Sequence, residues 1–538
     1  MSEPKRPERR SKHQPDRAGG ESLRVRSDRY LITAHSPSDA SRLVGNLDQD
    51  PQVRLVRTIR PAPRLGAWDF PPVAVAEMVA DRAASLAAQA DVHIEVDQPL
   101  GYGQTWLRGA DPGVTPLTEP VPVAFRVTDI DGRPLARATV HVFGEQVQGQ
   151  AVTDGEGGAQ VALPADEIDR VYGVYVRPVQ GSWSAWLQRP ALSTTEPNTV
   201  LCLPLESGVT TGWHRRAMGF DRLPPHYLGH GVRIAIIDSG ATPAGAEFSD
   251  RVTGFDVLAH DDKSWREDIL GVGSHIAGLI AASDESARHV ALAPEAELLV
   301  CRVMPDGRHS DLIEALDYCL AQDVDVVHIG VGSTVWSPLL AQKIEQAYQA
   351  GTVCVAAAGN TGGAAMFPAS LPGVLGVGAL GQVGTYPPDS YHATQIQGTP
   401  TPDGLFPARF SAYGPGVDVF APGVAVLSTS PAGSFVAADG TAVAAAHVTA
   451  LAALVIAHHP DLRNGYRVRG APRVEQLRQM IIATSRPVMF GNPRYLAGLP
   501  DAVAAVGLTP GPPAMTAAAM LPRGYPFGGL VPVLPRTG

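Results

Sequence analysis

The sequence predicts an α/β protein in which a parallel sheet with helices on both faces follows a small α+β unit and an all-β sandwich. Three observations carry this. From Gly231 to about Val506, short apolar runs alternate with helical stretches, the pattern of a parallel sheet covered on both faces. Between Thr118 and Leu205, alternating runs are separated by the turn dipeptides Asp131-Gly132 and Asp154-Gly155. Between Leu23 and Tyr102, strand and helix patterns alternate on a smaller scale. The expected divisions are a tail over 1–23, the α+β unit over 24–105, the sandwich over 118–206, the large α/β domain over 220–506 and a Pro/Gly-rich tail over 507–538.

Composition bounds the function. A chain of 538 residues needs two or three domains, and 44% hydrophobic with 18% charged residues supplies an ample core. A net charge of -10 argues against nucleic acid as a partner. No run of 18 or more apolar residues suggests a membrane span. Cys202, Cys301, Cys319 and Cys354 are scattered without a C-x-x-C pair, and Cys301 and Cys354 lie in apolar runs, as buried thiols in a reducing compartment do. The first residues lack an apolar signal core, so the cytoplasm is the default expectation, with unconventional export left open.

Taken in order, residues 29–34 read as a strand, Ser36 to Leu47 as a helix opened by Ser36, and 53–59 as a half-buried strand. Val73 to Ala90 reads as a helix entered through Pro71-Pro72, and Val92 to Val96 as a closing strand. Residues 121–127 and 139–143 read as sandwich strands. In the large domain the apolar run 232–237 is a buried strand ending in Asp238-Ser239-Gly240, where the carboxyl ends of parallel strands hold ligands. Gly271 to Gly278 opens a helix, 298–304 is a strand, Asp311 with Glu314 reads as a capping box, and 324–329 and 351–357 are strands. Gly433 to Ile456 reads as a Gly turn leading into a long buried helix dominated by small residues.

That last stretch contains Gly440-Thr441-Ala442-Val443-Ala444-Ala445-Ala446-His447-Val448. It resembles the nucleophile segment of the subtilisin-like serine proteases, which reads G-T-S-M-A-A-P-H-V. Ile236-Ile237-Asp238-Ser239-Gly240 and Gly273-Ser274-His275-Ile276-Ala277-Gly278 resemble the family's Asp and His segments, in the family's order. Residues 290–294, 367–373, 410–416 and 421–423 continue the resemblance over about 220–506. By position, residues 24–105 resemble the family's propeptide, and 118–206 are similar to small β-sandwiches of the carboxypeptidase regulatory type.

The resemblance implies roles. His275 would be the general base, Asp238 would fix its tautomer, and Asn360 would donate into an oxyanion hole beside the amide of Ala442. Ala442 stands at the nucleophile position and has no hydroxyl. Thr441 is one residue off and should aim elsewhere; Asp439 has no hydroxyl, and His447 should pack and cap. Gly330-Val331-Gly332 would offer backbone to an extended peptide where the family usually ends S-L-G. No cofactor or metal is called for. The expected partners are a peptide or protein segment in the cleft and the chain's own N-terminal unit in cis. Three readings stay open: an inactive pseudoprotease, an endopeptidase whose Ser was replaced, and a scaffold acting through the sandwich.

Overall fold

The computed structural model describes residues 28–61, 70–103, 119–205, 212–242, 251–282, 291–466 and 468–508. The expected tail over 1–23 and nearly all of that over 507–538 lie outside these residues. The chain divides into two units, one of 1–58 and 73–96 and one of 59–72 and 97–538.

The first unit runs β1 (Asp28–Ala34), α1 (Pro37–Asp48), β2 (Val53–Ile59), β3 (Val73–Met78), α2 (Ala80–Ala87), β4 (Val92–Val96). The sheet order is β2-β3-β1-β4, a split βαβ arrangement. Ser36 caps α1 by accepting from the Asp39 amide at 3.1 Å. The single helix expected over 73–90 is a strand followed by a short helix. Val73 and Val75 favour extended backbone, and antiparallel pairing from Asp28–Met78 to Ile32–Ala74 overrides the helix propensity of the alanines. Residues of β3 and α2 then share one core with Tyr30, Ile32 and Leu47.

The second unit begins with two small sheets. One joins β5 (Pro120–Thr128) to β8 (Gly158–Pro164) and, in parallel, to β11 (Asn198–Leu201). The other is antiparallel and joins β6 (Thr139–Phe143), β7 (Gln148–Val152), β9 (Gly173–Arg177) and β10 (Ala185–Gln188). Val123, Phe125 and Leu163 of one share a core with Val140, Val142, Val174 and Val176 of the other. The turns are fixed by Asp side chains. Asp154 Oδ1 accepts from the amides of Glu156 and Gly158, and Asp129 Oδ1 from those of Asp131 and Arg133.

After α3 (Trp213–Met218) comes the large sheet. Its strands are β12 (Arg233–Asp238), β13 (Val252–Asp256), β14 (Glu297–Arg302), β15 (Val326–Ile329), β16 (Val353–Ala357), β17 (Leu375–Gln382), β18 (Leu405–Pro407) and β19 (Val419–Pro422). The order is β13-β14-β12-β15-β16-β17-β18, with β19 also on β17, and every pair except β17–β18 is parallel. Strand order turns back at β12, so the carboxyl end of β12 opens a crevice.

Four helices position that crevice: α4 (Val272–Ala281), α5 (His309–Ala321), α6 (Pro338–Gln349) and α7 (Thr441–His458). Asp311 is the third residue of α5, not its cap, and accepts from the Arg308 amide at 2.7 Å. A hairpin of β20 (Val426–Thr429) and β21 (Phe435–Ala438) leads into α7, so four residues expected in a turn are strand. Helix α7 is long and apolar enough to cross a membrane, but Thr441 to Val455 are all buried against α4 and the sheet.

Two buried polar links fasten the unit. Lys343 of α6 is fully buried; its Nζ lies 2.8 Å from Asp317 Oδ1 of α5, 2.8 Å from Gln346 Oε1 and 3.8 Å above the ring of Phe70. His392 bridges Asp439 Oδ1 through Nδ1 at 2.7 Å and Ser184 Oγ through Nε2 at 3.1 Å, tying the end of the hairpin to the approach to β10.

Candidate active site

Each candidate side chain stands where an element ends. Asp238 closes β12, and His275 sits in the first turns of α4. Gly330 to Gly332 follow β15, Asn360 follows β16, and Ala442 is the second residue of α7. Helix α4 reaches the β12 turn because Gly273 has no side chain: a Cβ there would lie 1.9 Å from the Gly240 carbonyl oxygen. Asp268 accepts from the amides of Gly271 and Ser274, both at 2.7 Å, and so caps the start of α4.

At the α7 end, the amide and hydroxyl of Thr441 both donate to Asn360 Oδ1 at 2.9 Å. A backbone N–H can only donate, so the atom facing it is the amide oxygen, and Asn360 Nδ2 is the end left for donation elsewhere. Thr441 Oγ1 also accepts from the Gly359 amide at 3.0 Å, which holds this hydroxyl inside the turn. Ala442, at the second helical position, presents an amide that the helix itself cannot use. His447 lies one turn further in, with Nδ1 on the Val443 carbonyl and Nε2 on His214, both at 2.9 Å.

Asp238 and His275 are held by different groups. Asp238 Oδ1 accepts from the Tyr102 hydroxyl and the Ser239 amide, both at 2.7 Å, while His275 Nε2 lies 2.9 Å from the Val426 carbonyl oxygen. Asp238 Oδ2 accepts no hydrogen bond among the described residues and faces Gly330, where a Cβ would lie 1.8 Å away.

Tyr102 belongs to an extended segment, residues 97–103, that crosses the site. Gly101 and Gly332 exchange both backbone hydrogen bonds at 2.9 Å. Leu100 donates to the Gly307 carbonyl at 2.8 Å, and His309 to that of Gln98 at 2.9 Å, so the segment lies between two backbones as an added strand. At its upstream end Asp97 accepts from the Ser310 amide and hydroxyl at 2.9 and 2.8 Å, in the first turn of α5. Downstream, the Asn360 amide donates to the Tyr102 carbonyl at 3.2 Å. Of the three candidate peptide-binding residues, Gly332 makes the strand pairing, Gly330 abuts Asp238, and Val331 is buried.

Burial dominates the electrostatics. It pushes the Asp238 carboxyl up to about 7, against the opposing bond from Tyr102, with Asp268 adding to the rise. Burial raises Asp97 to about 6 and lifts the Tyr102 phenol well above its ordinary range. Between its ordinary 3.8 and about 7, folded Asp238 holds a proton that the unfolded chain has lost. Its contribution to stability is therefore full below about pH 4 and is lost as pH rises through about 7. Thermal melting from pH 4 to 8 should show the parent losing more stability than Asp238→Asn over this range; identical profiles would contradict the assignment.

Residues 229–507 match the sequence profile of the subtilase family, just over half of the chain. The chain belongs to the subtilase family. It is 30% identical over 246 residues to subtilisin NAT of Bacillus subtilis subsp. natto, covering 44% of this chain and 58% of that protein. It is 30% identical over 246 residues to subtilisin of Bacillus pumilus, covering 44% of this chain and 81% of that one. To the thermophilic serine proteinase of Bacillus sp. (strain AK1) it is 32% identical over 268 residues, 49% of this chain and 60% of that one. The α/β fold of this subtilase follows from the same match.

Sequence reasoning missed three participants. Tyr102 served only as a boundary, although an aromatic residue between Gly101 and Gly103 is a usable signal for a side chain on an extended strand. Asp268 precedes the His segment by a spacing that suits a cap. The Val426 carbonyl carries no signal at all, since any residue would supply it.

Proposed function

We propose that this subtilase is a pseudoprotease that binds an extended peptide or protein segment in the crevice at the end of β12. The observation that carries the reading is Ala442 at the second position of α7, beside Asn360, where the family's G-T-S frame has its nucleophile. Thr441 cannot substitute, because its hydroxyl is engaged by Asn360 and Gly359. On this reading Asp238, His275 and Asn360 are the remaining members of a protease constellation. Gly332 serves as the backbone partner of a peptide, and residues 97–103 are the occupant in cis. Residues 24–105 are then propeptide-like and remain attached, since autoprocessing needs the nucleophile, and 118–206 form a sandwich of carboxypeptidase-regulatory type.

A second reading, a serine endopeptidase whose nucleophile was replaced, is favoured by the relatives, which are named as subtilisins and proteinases. Ala442→Ser in the full chain, assayed on casein, separates the two. The pseudoprotease, with residues 97–103 across its crevice, should stay near the level of an Ala442→Ser, His275→Ala control; turnover that disappears with His275→Ala would support the endopeptidase.

A further inference from the structure

One side chain of the cleft segment does more than backbone pairing requires. Tyr102 follows the residue that pairs with Gly332, and its hydroxyl points into the end of β12 onto Asp238 Oδ1, at 2.7 Å. Asp238 has 0% exposure, and a buried carboxyl needs donors. The phenol and the Ser239 amide both donate to its Oδ1. The neighbourhood is shaped for this arrangement. Gly330 leaves space for the carboxyl, and a Cβ on Gly103 would lie 2.3 Å from Met366 Sδ and 3.1 Å from the Asn360 amide nitrogen, with φ at +70°. The position after the tyrosine is therefore restricted to glycine. Two places upstream Leu100 is buried at 8% exposure.

We propose that the crevice selects tyrosine. On this assignment Asp238 is a specificity-determining acceptor for a phenolic hydroxyl, and the ligand class is an extended peptide reading apolar, small, Tyr, Gly. The inference rests on the peptide-binding reading above. Within that reading it changes the role of Asp238, from orienting an imidazole to recognising a side chain of the ligand. It also counts against a phosphorylated tyrosine, since a dianionic phosphate would be set against a fully buried carboxyl.

The test uses the full chain carrying Gly101→Pro, which deletes the amide donated to Gly332 and loosens the hold of residues 97–103 on the crevice. Fluorescein-labelled peptides copying residues 97–103, with Tyr, Phe or phosphotyrosine at the position of Tyr102, are titrated by anisotropy. The Tyr peptide should bind about ten-fold or more tightly than the Phe peptide, the usual scale for leaving a buried acceptor without its partner, and the phosphotyrosine peptide more weakly than both. Equal binding of Tyr and Phe would overturn tyrosine selection and leave peptide binding standing. No binding by any of the three would overturn the peptide-binding reading, and this proposal with it.

A measurement in cis does not depend on the Pro variant folding. Hydrogen exchange at the Gly101 amide should speed up about ten-fold in Tyr102→Phe and in Asp238→Ala, with no further gain in the double variant, because both remove the same bond. An unchanged rate in Tyr102→Phe, or additive effects in the double variant, would overturn the assignment.

Discussion

Ala442→Ser alone should leave the full chain nearly inert on casein, whereas Ala442→Ser combined with Gly101→Pro should raise hydrolysis by about 10³-fold or more over Gly101→Pro alone. In subtilisin, loss of the nucleophile costs about 10⁶ in kcat, so the hydroxyl is the largest missing part. A hydroxyl needs a base, however, and His275 Nε2 is engaged by the Val426 carbonyl while Asp238 Oδ1 is engaged by Tyr102. Residues 97–103 also fill the strand position that a substrate would take against Gly332. Freeing that segment lets the imidazole turn toward Asp238 and admits casein in one step. Initial rates for parent, both single variants and the double variant form the measurement. Full activity in Ala442→Ser alone would show that the segment is no barrier. A double variant no faster than Gly101→Pro would show that Asp238, His275 and Asn360 no longer make a competent set.

The second large effect concerns stability. Asp317→Ala should cost about 3–5 kcal/mol, because it leaves the ammonium of Lys343 buried without its carboxylate. Burial already pulls the Lys343 ammonium below its ordinary range, and Asp317 is the group that opposes this. Removing both charges, as in Asp317→Leu with Lys343→Met, should cost much less, since apolar groups of similar volume need no partner. Urea unfolding of the three proteins gives the comparison, with the slope checked for constancy. A double variant as unstable as Asp317→Ala would mean that the contacts of the ammonium with Phe70 and Gln346, not its pairing with Asp317, carry the stability.

The strands legible in the sequence were those whose signal is local. Val53–Ile59, Val92–Val96 and Thr139–Phe143 have the bounds that alternation and flanking turns give them. The order of the Asp, His and Ala442 segments was legible because each is a short string at the end of a strand or the start of a helix. Val73–Met78 was not, because its alanines read as helix until β1 is beside them. The pairing inside the site was not legible either. Tyr102 and Asp238 are 136 positions apart, and no periodicity records which phenol meets which carboxyl. The orientation of the Asn360 amide likewise depends on Thr441, 81 positions away.

The crossing of the site by residues 97–103 also sets a concentration scale. A segment carried on the same chain acts as though present at about millimolar concentration when its connections are short and flexible. If the same seven residues bind as a free peptide at about 1 μM, the crevice stands open about 0.1% of the time, and any rival is weakened by the same factor of about 1,000. A free competitor of equal quality would then need to approach millimolar levels, which few single proteins reach. Occupancy from outside is on this arithmetic a matter of avidity: a partner must bring a second contact elsewhere on the chain, or arrive in many linked copies, before its tyrosine replaces Tyr102.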